Sequence, residues 1–361
     1  ETTSSSACPY PICTAIQTGP FSQIISTPMG WSMFSSYMIP EDASVGSILE
    51  PIIDEVIIAK DFLGNAFLPE WDFNGIGDLS IGQGYQIKTI GPVSFEISGS
   101  YALPENNPID LTSGWNMVGY LRTEAANVEA VFAEIHDDEN LIIAKDYLGA
   151  AYLPEWDFNG IGDMITGSGY QLKIHFDDVL QYLSNDISYK LSSLIVEENN
   201  LIHFPKPSVT DNNMTFVFED AAWDVIPNTG DEIAAFDMTG RLVGSAIYSS
   251  PTTVVTVWGD DATTSSKDGL EKSEAVSFKV WSSNEVRDFN VSEWTIGSSS
   301  FYNVDAINIA STIEIQNPDS DRVLVKVINA LGQEIKLNNN QFKGAILFNI
   351  YDDGSVEKFI E

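Results

Sequence analysis

Acidic and amide side chains at short odd spacings are the first residues in this sequence whose types could do chemistry. Asp72, Asn74 and Asp78 stand at positions 1, 3 and 7 of a glycine-rich stretch, and Asp157, Asn159 and Asp163 repeat the pattern. Such oxygens resemble a calcium loop, because calcium takes roughly six to eight oxygen ligands from flexible loops. Position 5 is Ile76 or Ile161 and no bidentate Glu closes the stretch. The alternative is a glycine turn in which Asn is left-handed and the Asp side chains cap backbone amides. A second acidic set follows, with Asp231, Glu232 and Asp237 in GDEIAAFD and Asp260, Asp261 and Asp268 in WGDDATTSSKDG. If those loops converge they form a hard-cation site, calcium again, and if not they are solvated hairpin tips. Trp71 and Trp156, with Tyr85 and Tyr170, offer flat rings on which a sugar could stack; core aromatics are the plainer reading.

Other chemistry finds little support. His136, His175 and His203 are scattered outside any metal-ligand spacing, and neither a Gly-x-Ser-x-Gly nucleophile turn nor a phosphate-cradling Gly-Lys-Ser/Thr loop occurs. Among 52 acidic residues adjacent carboxylates arise by chance and nominate no glycosidase dyad. The expectation is a protein that is not an enzyme. Seventeen Lys and Arg leave a net charge of −35, which repels phosphate backbones and anionic lipid, so nucleic acid is not an expected partner. A 43% hydrophobic content with 8 Trp, 13 Tyr and 19 Phe is enough for packed cores and excludes general disorder. No apolar run approaches the ~20 residues of a membrane helix, so no span is expected. Cys8 and Cys13, in CPYPIC, either close a local disulfide or stay unpaired. The Ser/Thr-rich opening carries no secretory signal and implies numbering that starts after processing or truncation.

The elements that must position these residues are duplicated. IIAKDFLGNAFLPEWDFNGIGD at 57–78 recurs as IIAKDYLGAAYLPEWDFNGIGD at 142–163, with 19 of 22 positions identical. GWSM at 30–33 meets GWNM at 114–117, and GQGYQIK at 82–88 meets GSGYQLK at 167–173. Phe62/Tyr147 and Phe67/Tyr152 exchange a ring for a hydroxylated ring, which places those ring edges at the surface, and Asn65/Ala150 is an exposed turn. Val45, Ile48, Leu49 and Ile52 behind Ser44 predict a short helix that Pro51 curtails. Val128, Val131, Phe132 and Ile135 behind Asn127 predict its counterpart. From Leu191 to Ser311, apolar runs at Met214–Phe218, Glu232–Phe236, Leu242–Ile247, Val254–Trp258, Val276–Trp281 and Ile307–Ala310 predict a β-sandwich.

The expected fold is therefore mostly all-β, with a leader at 1–29, β-rich repeats at 30–113 and 114–190 carrying one short helix each, an acidic β-sandwich at 191–311, and a small β-sandwich at 312–361. That last region holds VKVINALGQEIKLNN and KGAILFNIYDDGSVEKFIE, with Leu331, Gly332, Tyr351, Asp353, Gly354 and Lys358 as its marked positions. It resembles the C-terminal sorting domain of proteins exported by the type IX secretion system of Bacteroidetes, in a short variant that has Gln316-Asn317-Pro318 where the family has Tyr-Pro-Asn-Pro. The repeats resemble modules of large extracellular proteins of the same phylum. The resemblance implies the type IX machinery as partner and a secreted or outer-surface location. The expected function is non-enzymatic adhesion or structure. The alternatives are a carbohydrate-binding portion of a larger polysaccharide-degrading protein, recognising an extracellular glycan, and a self-associating fibre subunit whose edge strands pair between copies.

Overall fold

A computed structural model describes residues 21–188, 201–282, 285–316, 323–335, 346–352 and 354–360; Cys8, Cys13 and Asp353 lie outside them. The chain is mostly β, as expected. In the first repeat Gly30–Phe34, Tyr85–Thr89, Val56–Lys60, Ala66–Leu68 and Phe73–Asn74 form one antiparallel sheet in that order. In the second, Gly114–Gly119, Gly169–Ile174, Leu141–Lys145, Ala151–Leu153 and Phe158–Asn159 match it strand for strand.

Each repeat starts earlier than its Gly-Trp pair. Phe21–Thr27, within the stretch expected as a leader, pairs with Val93–Tyr101, and Ile109–Leu111, expected in the first repeat, pairs with Asp178–Leu180 of the second. The inward side chains of Phe21–Thr27 are Gln23, Ile25 and Thr27. Two of the three are polar, so the alternation that marks a half-buried strand is lost in the sequence. Inside, Gln23 Oε1 accepts from Ser36 Oγ and the Tyr37 amide, while its Nε2 is buried without a hydrogen-bond partner.

The short helices form where the apolar spacing predicts. Val45–Leu49 runs into a 3-10 turn, Glu50–Glu55, carrying Pro51. Its counterpart breaks at Phe132 into Val128–Val131 and Ala133–Asp137. Asn127 caps through Oδ1, accepting from the Glu129 amide at 2.9 Å, whereas the Ser44 side chain makes no cap bond. Phe67 and Tyr152 correct the surface expectation: both are buried, at 6% and 4% exposure, and burial pushes the Tyr152 hydroxyl up to about 12.

The expected sandwich is built from one seven-stranded sheet curled until nearly closed. Its order is Leu242–Ile247, Glu232–Phe236, Ser277–Ser282, Glu285–Ile296, Ile307–Ile315, Asn213–Glu219, Thr252–Trp258, and the two end strands approach each other. Phe216, Phe218, Trp223, Phe278 and Phe289 fill its interior, mostly edge to face. Glu285–Ile296 was not legible, because register shifts after Val291, Glu293 and Trp294 scramble its alternation. At the C terminus Glu334–Ile335, Leu324–Asn329, Ile346–Tyr351 and Val356–Ile360 form a four-stranded antiparallel sheet. Among the described residues no helix is long and apolar enough to cross a membrane.

Candidate docking site

The repeats meet each other about a local twofold axis. Phe34 bridges to Ser168, and Val118, the counterpart of Phe34, bridges to Gln83, the counterpart of Ser168. The Ser35 amide donates to Gly167 O at 2.9 Å, and the Gly119 amide to Gly82 O at 2.8 Å. This contact explains the Gly-x-Gly-Tyr motif. A Cβ on Gly84 would lie 2.8 Å from Val118 O and 3.3 Å from the Cα of Gly169, and one on Gly169 would meet Gly84 at the same 3.3 Å. Only glycine lets the two backbones approach so closely.

The same sheets build a matched pair of cation clusters. Trp31 lies opposite Lys88, and Lys88 opposite Ile58, while Lys60 lies opposite Gln86 two residues along the same face. The second repeat sets Trp115 opposite Lys173 and Lys145 opposite Gln171. Lys60 and Lys88 approach the Trp31 ring centroid at 4.8 and 5.9 Å, and Lys145 and Lys173 approach that of Trp115 at 4.6 and 5.6 Å. Each such contact is worth about 0.5–2 kcal/mol, more as water is excluded.

Both clusters grip the curled sheet, at different points. Asp261 Oδ2 accepts from Trp31 Nε1 and Lys88 Nζ, each at 2.6 Å, and Lys60 pairs with Asp211. Burial pushes the Asp261 carboxyl up, but hydrogen bonds from Lys88, Thr263 and Trp31 outweigh it and hold the group below its ordinary value. In the second repeat Trp115 Nε1 donates to Asp305 O at 3.2 Å and Lys145 donates to Asn213 Oδ1. Lys145 is fully buried, which drives its pKa down to about 8; Asp305 opposes that fall and Lys173 adds to it. A polar cavity of about 170 Å³, lined in part by Lys60, Gln86, Trp115, Gln171, Asp211 and Asp305, lies where the three units meet.

The hairpins that follow are docked once and open once. Ile143, Ala151 and Leu153 of the second repeat share an apolar core with Val217, Ile307 and Ile309 of the curled sheet, edged by Trp156, Phe158 and Val254. Thr256 Oγ1 donates to Gly149 O at 2.7 Å. Burial lifts the Asp146 carboxyl to about 6 against amides of its own turn and the charge of Lys206. In the first repeat Gly64 faces open space, and Leu63, Trp71 and Phe73 are 78%, 72% and 51% exposed.

The residues singled out in the sequence have mostly other work. Asp72 and Asp157 take the left-handed conformation, at φ 49° and 47°. Asn74 and Asn159 accept from the Gly77 and Gly162 amides at 2.9 and 2.7 Å, which reverses the expected division of roles. Asp78 and Asp163 pair through their backbones with Ser44 and Asn127. Asp231 accepts from the Asn228 amide, and Glu232 from those of Ile202, His203 and Phe204. Asp237 accepts from Thr239 and Arg241, Asp260 from the Asp268 amide, and Asp268 from the Asp261 amide. The two acidic loops do approach, but a lysine joins them: Lys267 Nζ sits 3.8 Å from Asp237 and 2.7 Å from Glu274. Among the described residues no group of three or more His, Cys, Asp or Glu is arranged to hold a metal.

Tyr85 and Tyr170 are core residues at 2% exposure, their hydroxyls accepting from the Ser80 and Ile165 amides, so neither belongs to a sugar platform. Trp156 is partly covered by the curled sheet, which leaves Trp71 open. At the C terminus Asn329 Oδ1 accepts from the Leu331 and Gln333 amides, and Gly332 and Gly354 turn with φ 78° and 83°. Tyr351 donates to Glu357, and Lys358 lies opposite Phe348. The paired Trp–Lys–Lys clusters were missed. The available signal was two lysines and a tryptophan kept at the repeat offset in a chain with only 17 basic residues. No family model, curated protein or solved structure matches this chain.

Proposed function

We propose that the chain is a non-enzymatic structural or adhesive protein, exported by type IX secretion to the cell surface or beyond. The observation that carries the reading is the use of the duplicated side chains. Both Trp–Lys–Lys clusters spend their cations and rings on holding protein surface, with carboxylates or amides as partners. A duplicated module used for grip provides extended or repeated contact without a reacting centre. The export half rests on the resemblance at 312–361, whose Gly332 and Gly354 sit at hairpin turns of the terminal sheet.

Expression with and without residues 317–361 in a bacterium that has the type IX machinery tests it. The full chain is expected on the surface or in the medium and the truncated chain inside the cell; equal distribution of the two contradicts export through this tail. A carbohydrate-binding reading now rests on Trp71, whose indole is 72% exposed. Polysaccharide pull-down that disappears in Trp71→Ala supports that second reading, and absence of pull-down removes it.

A further inference from the structure

The first repeat keeps exposed Trp71 and Phe73, whose counterparts Trp156 and Phe158 pack against the curled sheet, and the covered copy specifies what fits them. In the second repeat the cover is an aliphatic β-sheet face of Val217, Val254, Ile307 and Ile309, with Lys206 placed to act on Asp146. The C-terminal sheet carries a face of the same chemistry. Lys326, Ile350 and Val356 stand in one cross-strand row, and Glu334, Ile328, Phe348 and Lys358 in the next. Residues directly opposite share a face of the sheet. On it Ile346 and Val356 are 43% and 58% exposed and both lysines are exposed. The buried apolar residues of this sheet, Val327 and Leu347, stand at the alternate positions and so face the other way. Among the described residues, none of the packed cores includes a residue of the sheet.

We propose that the Trp71–Phe73 face of the first repeat docks onto the Ile346–Ile350–Val356 face of the C-terminal sheet of a second copy, joining chains head to tail. Charge selects this pairing over two first repeats meeting face to face. Residues 21–108 hold eleven acidic and two basic side chains, and both basic ones, Lys60 and Lys88, are engaged at Trp31. Glu70 and Asp72, exposed beside Trp71, meet a face on which Lys326 and Lys358 outnumber Glu334 in the head-to-tail contact and meet only each other in the symmetric one. Like charges brought together disfavour the latter. The two surfaces are different, so each added chain leaves one of each kind free and the assembly grows as an open series. The biological use rests on the structural reading above and on a tail that stays attached, but the contact itself is a property of the purified chain.

Sedimentation velocity of the full chain over a series reaching roughly 100 µM tests it. Average mass is expected to rise with concentration and to fall as salt screens the lysines. Trp71→Ser with Phe73→Ser, and separately Lys326→Glu with Lys358→Glu, each weaken association by at least about tenfold. The melting temperature stays unchanged, since these side chains are exposed. Mixing the Lys326→Glu/Lys358→Glu chain with a Glu70→Lys/Asp72→Lys chain restores the open series, with the two chains alternating. A chain that remains monomeric throughout, or association indifferent to both pairs of substitutions, overturns the proposal. A monomer that is still exported refutes this contact alone, and an assembling chain that is not exported refutes only the export reading.

Discussion

The two hairpins at 57–78 and 142–163 share 19 of 22 residues, yet Trp156 and Phe158 pack against a neighbouring sheet while Trp71 and Phe73 stand in solvent. The difference comes from symmetry. The repeats pair about a local twofold, and the curled sheet they grip is a single asymmetric body, so it cannot present the same surface to both. Repetition therefore guarantees two copies of a binding face but only one internal customer for its apolar part. The Trp–Lys–Lys clusters adapt better, because a lysine can reach a carboxylate in one repeat and an amide oxygen in the other.

Substitutions at matched positions should break the comparison most sharply. Leu153→Ala is expected to cost about 3 kcal/mol in urea unfolding and Leu68→Ala about 1 kcal/mol, because only Leu153 is packed on all sides. Equal losses would mean that the second hairpin is not docked. Next comes Asp261→Ala, which strands the Trp31 and Lys88 donors and should cost about 2 kcal/mol, against less than about 1 kcal/mol for Lys60→Ala at its more open ion pair. A pH-dependent effect follows from Lys145. Between pH 8 and its ordinary value of 10.5 this lysine holds fewer protons in the folded chain than in the unfolded one. Stability relative to Lys145→Met should therefore rise with pH from about 8 to 10. A flat difference would show that Lys145 is solvated. Smallest of all, Phe73→Ser should change stability by less than about 0.5 kcal/mol. Millimolar calcium should leave the melting temperature where it was, since the acidic-loop carboxylates already accept internal hydrogen bonds; a clear rise would show a cation site that the described residues do not assemble.

Much of the fold was legible because periodicity reports burial. The helices behind Ser44 and Asn127, the hairpin strands and most strands of the curled sheet all follow apolar spacing. Strands whose inward positions are polar or bulged escaped: Phe21–Thr27 hides Gln23 and Thr27 inside, and Glu285–Ile296 changes register three times. The candidate site was less legible for a different reason. Acidic loops attract attention in a chain of charge −35, but their oxygens serve their own backbone amides or a neighbouring lysine. The scarce cations carried the information. Lys60, Lys88, Lys145 and Lys173 take their meaning from Trp31 and Trp115, and that grouping depends on cross-strand register rather than on nearness in sequence.

Hydroxyl-radical footprinting of the dilute monomeric chain, read residue by residue by mass spectrometry, addresses the central claim most directly. Trp71 should oxidise several times faster than Trp156, and Phe73 faster than Phe158, since one face is open and its twin is covered. Equal rates across the two pairs would contradict the account, because the repeats would then be docked alike or not docked at all.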